Sequence, residues 1–145
     1  MTKTCIAFDN EKTDARDIAR CILYVKTYMR ILSDVIEPDY KNYKEFCNIK
    51  PICLKVCDYL VNEITKGLSK TDSVYIGINI MDLLIFYEMA KGFVEATIDD
   101  INDKKPLELV MKLNLDYPTL KKDLVYIDKQ IDKLKSLIEK SNEKD

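Results

Sequence analysis

From Val74 to Ile98 the chain reads VYIGINIMDLLIFYEMAKGFVEATI, and no other stretch restricts the fold as strongly. Between Val74 and Tyr87 only Asn79 and Asp82 are strongly polar, so no polar stripe is left to face water and the segment belongs at the centre of a core. Glu88 and Lys91 interrupt it too soon for a bilayer span, which needs roughly 20 apolar residues. The expectation is a buried central helix over residues 72–98. Val74, Ile76, Ile78 and Ile80 do alternate with Tyr75, Gly77, Asn79 and Met81 as a strand would. The unbroken continuation into MDLLIFYEMAKGFVEA, with no evident partner strand, decides for helix. Gly92 costs a helix roughly 1 kcal/mol against alanine and is read as allowing close helix packing. Asn79 and Asp82 mark an edge that meets water, or hydrogen-bond to a neighbouring helix through Tyr24 and Tyr28.

Other helices can be read around this one. After Thr13, a candidate N-cap, apolar residues recur at Ala15, Ile18, Ile22, Val25, Met29, Leu32 and Ile36 in alternating steps of three and four, until Pro38 ends the run. Tyr40, Tyr43 and Phe46 suggest a short helix over Asp39–Cys47. A break at Asn48–Pro51 follows, with Pro51 opening a new helix whose buried stripe is Cys53, Val56, Cys57, Leu60 and Ile64. Residues 99–105 read as a polar loop, and Pro106 starts a short helix to about Asn114. The last helix carries Leu120, Leu124, Ile127, Ile131, Leu134 and Ile138. Residues 1–12 are expected to be a mobile arm or a small edge element, and 140–145 a frayed tail.

The 145 residues suit one domain with one core, and 47% hydrophobic against 33% charged is an ordinary globular balance. Only three glycines and four prolines leave few tight turns for an all-β fold. The sequence therefore predicts a single-domain, all-α bundle of five or six helices.

Function is constrained chiefly by exclusion. The chain has no histidine, which removes Ser-His-Asp and Cys-His catalysis, H-E-x-x-H zinc proteases and the E-x-x-H di-iron sites of helical bundles. Glycines at 67, 77 and 92 form neither a P-loop nor a dinucleotide-binding loop. Five cysteines and no apolar leader at MTKTCIAF argue for thiols acting as small core residues in a reducing cytoplasm. Their C-x5-C-x3-C spacing lacks the tight pair of a closed zinc site.

The net charge of −2 gives no overall excess of basic residues for nucleic acid. Locally, Lys104, Lys105, Lys112, Lys121 and Lys122 could form a basic patch, which supports an alternative reading as an accessory nucleic-acid-binding subunit. Glu88, Glu95 and Asp99 fall near one helix face, which supports a second alternative, a magnesium-dependent all-α nucleotide hydrolase. That chemistry uses paired E-x-x-E and E-x-x-D motifs, and Asp99 lies four residues after Glu95 with no E-x-x-E before it. The leading expectation is a non-enzymatic intracellular interaction or adaptor module without cofactor, forming a homodimer through apolar helical surface.

Overall fold

A computed structural model describes residues 3–9, 13–39, 41–68, 73–102 and 116–143. The element order is β1 (Lys3–Asp9), α1 (Thr13–Val35), α2 (Tyr43–Leu68), β2 (Ser73–Asn79), α3 (Ile80–Asn102) and α4 (Tyr117–Glu143). The chain is all-α in class. Its core is built from the helices, and a two-stranded antiparallel ribbon packs on them and adds Ile78 of β2 to it.

The central helix is shorter at its start than the sequence suggests. Ser73–Asn79 is strand, paired with β1 in a register running from Lys3 opposite Asn79 to Asp9 opposite Ser73. The period-two alternation of β-branched residues therefore prevails over helical continuity, because the N-terminal segment supplies the partner strand. Lys3–Asp9 is the edge element, not the arm, of the two readings for the N-terminus. Asn79 sits at the strand-to-helix junction, where its Oδ1 accepts the Asp82 amide at 3.1 Å and caps α3. Tyr24 and Tyr28 are not its partners; Tyr24 bonds elsewhere. At the other end α3 continues through Asn102, so Asp99–Asn102 is helix and not loop.

α3 still occupies the middle, packing against α1, α2 and α4. Leu83, Phe86, Tyr87, Ala90, Phe93 and Val94 are buried along it, while Met81, Glu88 and Glu95 leave one stripe in water. Burying a side chain of phenylalanine or leucine size stabilises by about 1.5–3 kcal/mol, which makes this helix the largest single contributor to the core.

Among the described residues there are four helices, against the five or six expected. The short Asp39–Cys47 helix and the one after Pro51 are a single helix, α2, with Pro51 inside it. Phe46, Ile49, Cys53, Val56, Cys57, Leu60 and Ile64 form one uninterrupted apolar stripe, and burying it against α1 and α3 outweighs the one hydrogen bond that proline removes. The helix expected from Pro106 lies outside the described residues. α4 opens as the sequence predicts: Asp116 Oδ1 accepts the Thr119 amide at 2.8 Å, which holds its carboxyl below the usual range, and Pro118 sits in the first turn. No described helix is long and apolar enough to cross a membrane.

Candidate interaction surface

Two features lie where helices meet. The first is a buried polar cluster between α1 and α4. Asp123 is fully buried and accepts from Arg20 Nε at 2.8 Å, Arg20 Nη2 at 2.7 Å and the Tyr24 hydroxyl at 2.5 Å. Arg20 Nη2 also reaches Asp17, three residues back on α1. The bond to Asp123 drives the Arg20 pKa above its ordinary value, and burial, followed by the same carboxylate, raises Tyr24. Burial likewise raises Cys21 beside them. Among the described residues no buried side-chain nitrogen or oxygen lacks a partner, so the cluster acts as a satisfied clamp between the two helices.

The second feature is an open groove of about 440 Å³ where α1, α2 and α3 diverge. Leu32, Val35 and Ile36 form its α1 side, Phe46 and Ile49 its α2 side, and Met89 and Gly92 its floor on α3. Tyr28 closes one end. A Cβ at position 92 would stand 3.4 Å from the Tyr28 ring, an ordinary contact, so the packing of α1 on α3 does not require a glycine there, contrary to the expectation from sequence. Val35, on this lining, is 63% exposed. The groove is apolar except for Asn42 and Glu45 at its rim, and Glu45 is its one ionised lining residue.

The candidate residues from the sequence fall elsewhere. Lys121 and Lys122 are exposed on the first turns of α4, with Lys121 Nζ 4.9 Å from the centre of the Tyr117 ring. Lys104, Lys105 and Lys112 lie outside the described residues. Glu88, Glu95 and Asp99 are exposed along α3; between them Lys91 bonds Asp128 of α4 at 2.9 Å. Among the described residues no three His, Cys, Asp or Glu side chains are placed to hold a metal ion.

Cys21, Cys53 and Cys57 are buried free thiols and Cys47 is an exposed one. Burial pushes Cys53 up to about 11 and Cys57 up to about 12. In a Cys5→Ser background, a maleimide at about pH 8 is therefore expected to label Cys47 promptly and the other three only after unfolding. Peptide mapping of the labelled sites checks this; rapid native labelling of Cys53 would contradict the packing of α2.

Asp123 is not among the sequence candidates, because an acid on a helix as rich in charge as α4 reads as part of its solvated face. It does stand at a seam position, three after Leu120 and four before Ile127, and Arg20, one of only three arginines, flanks the α1 seam. An acid in one seam and an arginine beside another were the available signal. No family model, curated protein or solved structure matches the chain.

Proposed function

We propose that this chain is a non-enzymatic, intracellular interaction module that takes an amphipathic helix of a partner protein into the groove between α1, α2 and α3, and that it also associates with itself. The groove supports this reading: it is open, walled by aliphatic and aromatic side chains, and sized for one or two large apolar anchors. Glu45 at the rim favours an anchor helix with a lysine or arginine beside its apolar face. The free thiols suit a reducing cytoplasm.

A photo-crosslinking residue placed at Val35 tests the proposal in the native cell. The expected result is one discrete partner, retained when salt is raised to roughly 0.5 M, since apolar contacts are little screened. Glu45→Lys, an exposed change, should reduce capture severalfold. Crosslinking that is diffuse and indifferent to Glu45→Lys would overturn the groove as the docking site. Binding that collapses with salt would favour the phosphate-contact reading through Lys121 and Lys122.

A further inference from the structure

The β1–β2 ribbon is small for a sheet. Two strands alone are marginal in water, and these two are supported by helices, β2 by α2 and α3 and β1 by α1. Among the described residues no third strand joins it, so each strand has an edge without a strand partner. The two edges differ. β2 packs beside α2, whose Tyr59 hydroxyl donates to the Gly77 carbonyl at 2.8 Å, so that side of the ribbon is engaged. β1 contacts α1, the helix that follows it in the chain, and among the described residues no further strand pairs with its outer edge. Exposed edges are usually defended by proline, bulges or central charges. β1, KTCIAFD, has none of these in its middle five positions and has one charge of each sign at its ends.

We propose that the free edge of β1 is where two copies of this chain associate, strand beside strand and antiparallel about Ile6, to make a continuous four-stranded sheet. The arrangement is self-complementary, as a two-fold interface must be. Centring on Ile6 sets Lys3 opposite Asp9 of the second copy, Thr4 opposite Phe8, Cys5 opposite Ala7, and Ile6 opposite itself. All seven β1 residues are used and both end charges meet opposite charges. A shift of two residues in either direction leaves two positions unpaired at each end and separates the charges. The register also pairs odd positions with odd and even with even, so the row of outward-pointing amides meets the same row of the second copy.

This inference rests on the self-association proposed above, and the experiment separates the two. In a Cys5→Ser, Cys47→Ser background, Ile6→Cys brings the new thiols together across the two-fold axis, where opposed Cα atoms are about 4.5–5.5 Å apart and within disulfide reach. Thr4→Cys places its thiols on residues about 13 Å apart, beyond reach. Mild oxidation is expected to give a covalent dimer for Ile6→Cys and not for Thr4→Cys. Lys3→Glu and Asp9→Lys are each expected to weaken dimerisation about tenfold by sedimentation, and the two together to restore it, since two symmetric pairs change sign. A monomer at every concentration overturns both this edge and self-association. A dimer that neither crosslinks at position 6 nor responds to the charge exchange overturns the edge alone.

Discussion

Asp123→Ala is expected to destabilise the protein by about 3 kcal/mol, enough to threaten a domain whose total stability is on the order of 5–15 kcal/mol. The loss arises from the groups left behind. Arg20 loses both bonds of its fork and the buried Tyr24 hydroxyl loses its acceptor. The figure sits at the low end for a broken buried pair because the Arg20 side chain is 31% exposed and retains Asp17. Urea unfolding measures the effect as a lower midpoint with little change in slope. Asp123→Asn keeps one acceptor and should cost less. A change below about 0.5 kcal/mol for Asp123→Ala would show that the cluster does not hold α1 to α4. The same site affects alkaline stability. Burial and the Asp123 carboxylate raise Tyr24 above the ordinary tyrosine value of 10.0, so the unfolded chain releases that proton first. Stability is whole below that pH and declines as pH rises beyond it. Tyr24→Phe should remove this part of the decline.

Phe93→Ala is expected to cost about 4 kcal/mol. Phe93 is 2% exposed, lies 5.5 Å from the Tyr24 ring in a stacked pair and 6.0 Å from Tyr28 edge-on, and so fills the junction of α1 with α3. Alanine leaves a cavity between rings that are held from other sides and cannot collapse into it. Phe93→Leu, which retains most of the volume, should cost about 1–1.5 kcal/mol by the same unfolding measurement. Tyr24 contacts both Phe93 and Asp123, so the double alanine variant should lose less than the two single losses added together. Strict additivity would mean that the aromatic packing and the polar clamp are independent.

Most of the helical bundle could be read from periodicity. α1 and α4 carry long three-and-four seams, and Ile18, Val25, Met29, Leu120, Ile127 and Leu134 from those seams are buried. Three of the misreadings share one cause, the priority of long-range pairing over local pattern. Residues 73–79 could be helix or strand, and only β1, about 70 positions earlier, resolves the choice by hydrogen bonding. Pro51 looks like a helix start until the stripe on both sides of it is seen to bury against the same two helices. Asp123 looks like surface until Arg20 reaches across from α1. The groove was not foreseen at all, because a gap between helices depends on where they diverge, and the seams of α1 and α2 specify contact but not separation.

Pro51 has a mechanical consequence for that groove. Every α2 residue on its wall, Glu45, Phe46 and Ile49, precedes the proline. With no N–H at position 51, the Cys47 carbonyl lacks its helical donor, and the opening turns of α2 are fastened to the remainder through a thinned ladder. The groove wall is thus the part of α2 that lies before the weakened rung, while Cys53, Cys57 and Leu60, fully buried, lie after it. On the docking proposed above, a bulkier anchor such as phenylalanine in place of leucine would press first on this weakened turn of α2 rather than on the buried stripe beyond it.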